Sequence, residues 1–531
     1  MQKVLTAAQM REVDRLTTER YGIPSIILME NAAHAVARVI TEKLEGSVKG
    51  KTVIVLCGPG NNGGDGAALA RYLFTQWVDV EVYLFGTVEQ TRGDARTNFE
   101  ILQKLARREP PFWPSFTFYE NASVNGHLQG ELRIADLVVD ALFGTGLTRP
   151  LDVAFKSLFD LIQSTRDERG SRPLLASIDI PSGLNADSAT EFSPFFNADF
   201  TVTITAPKVG NVLPPNSRSG GEMHVGNIGT PFEMLLDVDS DLIIPELIEI
   251  QGWMSASRFS DASYKNKRGH VLLIAGSANY PGAAVLCGNA AMRSGVGLVT
   301  LACPSEAEQL IAPRLLPEVI LTAIESEDLN DHIEKADALA IGCGLDANDS
   351  KIEELVRRVV SERKVTTLVD ASALWFLNPP TGIPASDDKT PALILTPHEG
   401  EFLRLLGTED KGAIKDRVSA VREFSKKNNV ILVLKGERVL IGEPGGKVVV
   451  NPTGNSGLGK AGNGDTLTGI LAGFLAQAVQ MKIDIFETVV AAVYVAGMAG
   501  DIAEKKYGKR VMTASDVREC LTEVFAQLAE R

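Results

Sequence analysis

The chain has little of what marks most specialised protein classes. It holds five cysteines in 531 residues, Cys57, Cys287, Cys303, Cys343 and Cys520. They are scattered, odd in number and mostly embedded in apolar runs, and no pair has metal-ligand spacing. Buried free thiols in a reducing compartment are expected. No lysine–arginine run appears and the formal net charge is −14, so nucleic acid is not an expected partner. The acidic excess bears on solubility and not on substrate. The stretch Met1-Gln2-Lys3-Val4-Leu5 lacks the apolar core of a signal peptide. The longest uncharged apolar stretch, Thr488 to Gly500, is shorter than a membrane span. A cytoplasmic protein with no membrane partner is expected.

Glycine, by contrast, is plentiful, with 48 residues gathered mostly in clustered loops. A hydrophobic content of 44% with 23% charged residues is that of an ordinary globular protein, and the length calls for two or three domains. The densest glycine cluster lies within Asn451–Gly473, where Gly454, Gly457, Gly459, Gly462 and Gly464 separate the apolar run Val448–Val450 from a helical pattern beginning near Asp465. A glycine-rich turn that ends on a helix start points several unpaired N–H groups at one spot, which suits an anion. Asp465 is out of place there unless it takes a proton from a group that attacks or leaves a phosphate. As a simple N-cap it would need no glycine run before it. Gly454-x4-Gly459-Lys460 fits most of a P-loop, but Ala461 stands where Ser or Thr should hold magnesium, and Gly462 and Gly464 oppose a helix starting at the lysine.

In the first half, residues 8–44 read as two helices broken at Tyr21-Gly22-Ile23-Pro24. Glu30 and Asn31 on the second are either a site edge or solvated. Apolar runs then alternate with helical patterns at Thr52–Leu56, Val80–Phe85, Leu137–Asp140, Leu174–Asp179 and Phe200–Ile204. Such runs predict strands buried on both faces of a parallel sheet with crossover helices. The first strand feeds Gly58-Pro59-Gly60-Asn61-Asn62-Gly63-Gly64-Asp65-Gly66, whose G-x-G-x-x-G is a weak dinucleotide-binding signal. The second strand ends Phe85-Gly86-Thr87 without the acid that such a fold places on the ribose. Two further strand ends carry Asp140 and Gly144-Thr145-Gly146-Leu147, and Asp179 with Ser182-Gly183. In an open α/β sheet these loops converge at the carboxyl ends of the strands. Asn62, Asp140 and Ser182 offer only oxygens, which suits a hard cation; the alternative is that the two aspartates cap turns.

A change of composition over Phe232–Gly252 marks the expected inter-domain segment. Beyond it, strands are predicted at Val271–Ile274, Leu298–Leu301, Ala338–Ile341, Thr367–Asp370, Leu393–Thr396, Val430–Leu434 and Val439–Ile441. Their ends hold Gly342-Cys343-Gly344-Leu345-Asp346, Thr396-Pro397-His398-Glu399-Gly400-Glu401 and Lys435-Gly436-Glu437-Arg438. His398 is either structural or part of a site. Lys435-Gly436 either cradles a phosphate or opens a hairpin.

The ordered set Lys435-Gly436-Glu437-Arg438, Asn451-Pro-Thr-Gly454-Asn455 and Ala461-Gly-Asn-Gly464-Asp465 resembles the ribokinase-like fold. Within it, the chain is similar to the NAD(P)H-hydrate dehydratase family, with Thr396-Pro397-His398-Glu399-Gly400-Glu401 and Pro317-Glu318-Val319 in agreement. The first half resembles the NAD(P)H-hydrate epimerase family through Met29-Glu30-Asn31, Asn61-Asn62-Gly63-Gly64-Asp65-Gly66, Asp140-Ala-Leu-Phe-Gly144 and Asp179-Ile-Pro-Ser182-Gly183. The order matches the bifunctional NAD(P)H-hydrate repair enzymes.

The resemblance implies an α/β chain of two domains. Residues 1–240 would form a Rossmann-like three-layer epimerase domain of the YjeF N-terminal type, and 241–531 a ribokinase-like, nucleotide-dependent (S)-NAD(P)H-hydrate dehydratase domain. The implied hydrate-binding residues of the epimerase are Asn61, Asn62, Gly63, Gly64 and Asp65, then Gly144, Thr145, Gly146, Leu147, Thr148, Arg149 and Pro150, with Asp179 as candidate base. Potassium would lie on Asn62, Asp140 and Ser182. In the dehydratase, Ala283, Gly344, His398 and Asp465 would line the hydrate site, Asp465 as base. Lys435, Gly436, Glu437, Arg438 and Val439 would hold the nucleotide, together with Asn455, Ser456, Gly457, Leu458, Gly459 and Lys460 and then Ala461, Gly462, Asn463 and Gly464. The implied co-substrate is ADP or ATP with magnesium. The implied partners are the hydrates NADHX and NADPHX and further copies of the chain. Two positions depart from the family pattern: Ser372, where a second Asp is usual, and Asn463, where Ser or Thr is commoner.

Overall fold

Runs of aliphatic residues form the interior strands of two separate sheets in the computed structural model, which describes residues 1–529 apart from 108–112, 171, 190–192, 380, 381 and 388. The chain divides into two compact units, Lys3–Ser240 and Asp241–Arg531, the latter joined by Met1–Gln2.

After a two-residue strand β1 (Gln2–Lys3), the N-terminal unit builds a parallel sheet from β2 (Thr52–Cys57), β3 (Asp79–Leu84), β4 (Phe116–Tyr119), β5 (Leu137–Ala141), β6 (Leu174–Ile178), β7 (Phe200–Ile204) and β8 (Glu222–Gly226), in the order β4-β3-β2-β5-β6-β7-β8. Successive residues of a strand face opposite sides. Val53, Val55 and Cys57 of β2 therefore join one core with the helices Ser25–Lys43, Asn61–Thr75 and Gly93–Ala106. Ile54 and Leu56 join a second core with Gly126–Leu132 and Val153–Glu168. Helices on both faces make three layers. The strands β4 and β8, which the apolar runs did not predict, lie at the two edges and are only partly buried. An edge strand needs no run that is apolar on both faces. The strand order reverses between β2 and β5, so a crevice is expected at their carboxyl ends.

The second unit holds β9 (Leu242–Ile244), β10 (His270–Ile274), β11 (Leu298–Cys303), β12 (Ile320–Ala323), β13 (Ala338–Ile341), β14 (Thr366–Val369), β15 (Leu393–Leu395), β16 (Ile431–Leu434), β17 (Leu440–Gly442) and β18 (Val448–Val450), in the order β1-β9-β18-β17-β16-β15-β14-β13-β10-β11-β12. From β12 to β16 the sheet is parallel, whereas β16–β17 and β17–β18 are antiparallel. The order reverses between β10 and β13. The segment Phe232–Gly252 is not a bare linker. It holds the helix Phe232–Asp237, the strand β9 and the start of the helix Leu247–Ala256. That last helix is anchored by Trp253, which stacks on Phe474 at 4.3 Å and donates from Nε1 to Thr488 Oγ1 at 3.0 Å. The helix Ile485–Tyr507 is long and apolar enough to cross a membrane by length and composition, but two-thirds of its apolar window is buried in this unit's own core.

Candidate active sites

In the N-terminal unit, β2 runs into Gly58-Pro59-Gly60 and the helix Asn61–Thr75, whose first turn has no side-chain cap. The turn is tight: a Cβ on Gly63 would lie 1.8 Å from the Gly58 carbonyl oxygen, so only glycine fits. The predicted trio Asn62, Asp140 and Ser182 is partly assembled. Asp140 is fully buried, and its carboxylate accepts from Ser182 N (2.8 Å), Ser182 Oγ (2.6 Å), Ser177 Oγ (2.9 Å) and Leu142 N (3.2 Å). Even so, burial outweighs these donors and pushes its carboxyl up from the usual range. Asn62 is buried, and neither its side-chain oxygen nor its nitrogen has a partner among the described residues. Gly144 packs against Asn62, since a Cβ there would lie 3.3 Å from the Asn62 Cβ. The rest of the predicted segment, Thr145 to Pro150, is a largely exposed loop.

Asp179 stands beyond β6 in the left-handed region, φ 69°. Its Oδ1 accepts from Lys208 Nζ, from Ile204 N (3.1 Å) and from Thr203 Oγ1 (3.4 Å). Two more carboxyls lie within electrostatic reach. Burial, helped by Asp179 and Asp14 and opposed by Lys208, holds Asp65 well above the carboxylate range. Asp14 is exposed as a residue, but desolvation of its carboxyl, opposed by Lys208 and helped by Asp179, pushes it up to about 6. Glu30 and Asn31 have structural partners: Glu30 pairs with Arg71, and Asn31 donates to the Ile228 carbonyl at 2.7 Å.

In the second unit, the glycine run meets the helix Asn463–Met481 at Gly462 (φ 91°), which opens it without a side-chain cap, and the run's last member, Gly464, lies in the first turn. Asn463 N donates to the Lys460 carbonyl at 3.4 Å, and no side chain caps the N–H groups of Gly464 and Asp465 that follow. Asp465 sits in that turn. Burial raises its carboxyl above the usual range, against a hydrogen bond from the Cys343 thiol; Asp370 adds to the rise and Lys435 opposes it. Cys343 lies after β13, at the reversal of strand order, where Gly276 N donates to its carbonyl at 2.8 Å. Its neighbour Gly344 has φ 68°, and a Cβ there would come within 2.7 Å of both the Ala283 Cβ and the Tyr280 carbonyl oxygen. The structure thereby brings Ala283, Gly344 and Asp465 to one corner.

Lys435 closes the same corner. Its Nζ bonds Asp370 Oδ1 at 2.7 Å, lies 4.0 Å from Glu401, and would be 3.6 Å from a Cβ on Gly464. Burial alone would lower this ammonium, but Asp370 and Glu401 hold it above its ordinary value. Asp370 also accepts from Thr468 Oγ1 at 2.6 Å; against its burial, Lys435 and Thr468 keep it below the usual range. The stretch after Lys435 does form a hairpin, β16 to β17, in which Arg438 donates to the Pro452 carbonyl. His398 caps the helix Glu399–Leu405: its Nδ1 accepts from Gly400 N (3.0 Å) and Glu401 N (3.3 Å), which leaves the hydrogen on Nε2. Asn455 donates to Gly500 O and Asp501 Oδ1 (2.9 and 3.0 Å), and Gly454 N donates to Asp501 Oδ2 at 3.0 Å. Lys460 donates to the carbonyls of Arg510 and Met512 (2.6 and 2.8 Å), so its side chain ties loops together.

The family model described as NAD(P)H-hydrate dehydratase matches residues 271–523, and the YjeF-related protein N-terminus matches 25–210. A bifunctional NAD(P)H-hydrate repair enzyme of Moorella thermoacetica is 35% identical, over 99% of this chain and 97% of that one. The chain belongs to the bifunctional NAD(P)H-hydrate repair enzymes. A second member, from Thermofilum pendens, is 31% identical over 99% of this chain and 97% of its own. Among solved structures, the ADP/ATP-dependent NAD(P)H-hydrate dehydratase of Bacillus subtilis, co-crystallised with ATP and magnesium, is 29% identical, covers 54% of this chain and 98% of its own, and has a TM-score of 0.47.

Four residues beside these candidate sites escaped the sequence reading: Asp14, Lys208, Asp370 in its pairing role, and Asp501. Asp14 lies mid-helix among charged neighbours and reads as solvated, while Asp501 directly follows the uncharged stretch Thr488–Gly500 within a helix. Lys208 and Asp370 stand at strand ends, which is the only signal that could have marked them.

Proposed function

We propose that the chain repairs nicotinamide cofactors whose ring has gained water: residues 3–240 interconvert the R and S hydrates of NADH and NADPH, and residues 241–531 dehydrate the S form with ADP or ATP. The observation that carries this is Asp465, a half-buried carboxyl at a helix start beside the Lys435–Asp370 pair. Hydroxide is a poor leaving group, so the hydrate's hydroxyl is first phosphorylated. Asp465 takes the hydroxyl proton as that oxygen bonds the terminal phosphorus, and the bond from phosphorus to the nucleotide's bridging oxygen breaks. The glycine-loop amides and Lys435 stabilise the phosphate charge. The ring nitrogen lone pair then expels phosphate, and loss of a proton from the adjacent ring carbon to the departing phosphate restores the double bond of the reduced ring. Magnesium would accompany the phosphates, and Glu401, an acidic oxygen donor 4.0 Å from Lys435, fits it.

In the N-terminal unit, Asn62, Asp140 and Ser182 would hold potassium. The donor set is all oxygen, and the buried, unpartnered carboxamide of Asn62 is what a cation would satisfy. The ion would fix the Asn61–Asp65 turn against the loop bearing Asp179, the candidate base. Five buried free thiols support a reducing, cytoplasmic setting. The deciding experiment incubates mixed R and S NADH hydrates with ADP or ATP and follows the return of NADH absorbance. A stable phosphorylated product without that return would indicate a kinase of a small alcohol instead.

Two variants test the dehydratase geometry. Asp465 must be unprotonated to accept a proton, so dehydration falls as pH drops through its raised pKa. The Cys343 thiol opposes that rise; Cys343→Ala should therefore move the acid limb of kcat/KM to higher pH, and an unmoved limb refutes the contact. Asp501→Ala removes both acceptors that hold Gly454 and Asn455. KM for the nucleotide should rise about 10- to 100-fold while KM for the S hydrate stays put.

A further inference from the structure

Lys208 is the largest buried charge in the N-terminal unit that the scheme above leaves unused. Its side chain is 2% exposed, against 14% for its partner Asp179. The ammonium has three donors and three acceptors are in place: Asp179 Oδ1, Thr203 Oγ1 at 3.1 Å and Ile204 O at 2.9 Å. Its position is fixed from the backbone as well, because Lys208 N donates to Asn211 Oδ1 at 2.9 Å and Asn211 Nδ2 donates to the Asp179 carbonyl at 3.1 Å. Both ends of Asp179 are therefore tied to the Lys208 segment. Every donor that reaches the Asp179 carboxylate lands on Oδ1; Oδ2 has none among the described residues, and it is not among the buried atoms left without a partner.

We infer that Lys208 is the positioning residue of the epimerase: it pins Oδ1 of Asp179, so that Oδ2 is presented to the hydrate as the proton acceptor. This rests on the assignment of the N-terminal unit as the epimerase. The charged groups facing the Lys208–Asp179 pair come from two elements: Asp65 on the helix Asn61–Thr75 and Asp14 on the helix Ala7–Tyr21. Three carboxyls thus share one cation. Removing that cation leaves the three to repel one another, and protons bind them more readily. An acceptor that is already protonated cannot take a proton from the substrate, so the loss is greatest at low pH.

The test uses the full chain with Lys208→Met and Lys208→Arg. Lys208→Met should slow epimerisation about 100-fold or more at neutral pH and move the acid limb of its pH profile up by about one unit or more. Lys208→Arg, which keeps the charge, should restore the limb even where it restores only part of the rate. A merely structural lysine would lower the rate without moving the limb, and that outcome overturns the inference; so does an arginine variant indistinguishable from the methionine one. Dehydration of pure S hydrate and thermal unfolding check that both variants are folded. If the wild-type chain does not epimerise, the assignment of the unit fails. The inference is then judged separately, by carbon-13 NMR titration of the Asp14 carboxyl, whose midpoint should lie higher in Lys208→Met than in the wild type; an unmoved Asp14 overturns it.

Discussion

Asp465→Asn should lower nucleotide-dependent dehydration of the S hydrate by about 100- to 10,000-fold, the range for loss of a positioned general base, while nucleotide binding changes little. The side chain keeps its volume, and the helix start of Asn463–Met481 stays without a side-chain cap over Gly464 N and Asp465 N. The asparagine cannot take the hydroxyl proton. Removing a carboxylate from beside the phosphate site also removes a repulsion, so nucleotide affinity should hold or improve slightly. Single-turnover dehydration and equilibrium nucleotide binding, measured on one preparation, separate the two effects. Turnover near the wild-type rate would show that Asp465 only marks the helix start. Loss of nucleotide binding in step with turnover would place it in the nucleotide site instead.

Asp140→Ala should abolish epimerisation and leave dehydration of pure S hydrate intact. Its interpretation depends on the four donors that the carboxylate now satisfies, from Ser177, Leu142 and twice from Ser182. Each buried donor left unmatched costs about 1–3 kcal/mol, so this variant loses stability whether or not a cation binds. Asn62→Ala is the cleaner companion, because the Asn62 side chain makes no hydrogen bond among the described residues and its removal should cost little stability. Wild-type epimerisation should be faster in potassium than in a bulky organic-cation buffer of equal ionic strength, and Asn62→Ala should lose that difference. Equal wild-type rates in the two buffers would leave Asp140 as the centre of a turn and no more.

Much of this molecule was legible without coordinates. Strands buried on both faces must be apolar along their whole length, so the interior strands from Thr52 to Ile204 and from Val271 to Leu434 announced themselves within a residue or two of their ends. Glycine loops after such strands can lie only at the carboxyl edge of a parallel sheet, and this located Asn61–Asp65, Gly144, Gly344 and Gly464. Asp465 drew attention because a carboxylate beside a glycine-rich turn contradicts the anion site that such a turn suggests. Tertiary structure alone decided the partners. Lys435 meets Asp370 across 65 residues of chain, Asp179 meets Lys208 across 29, and Asp501 reaches back 47 to Gly454. No local periodicity encodes such pairs, because a charged side chain in a loop reads the same whether it is solvated or paired. The edge strands β4, β8 and β12 and the helix–strand–helix course of Phe232–Ala256 were decided there too. An edge strand faces a neighbour on one side only, so its residues need not be apolar, and what makes it a strand is the backbone ladder supplied by the strand beside it.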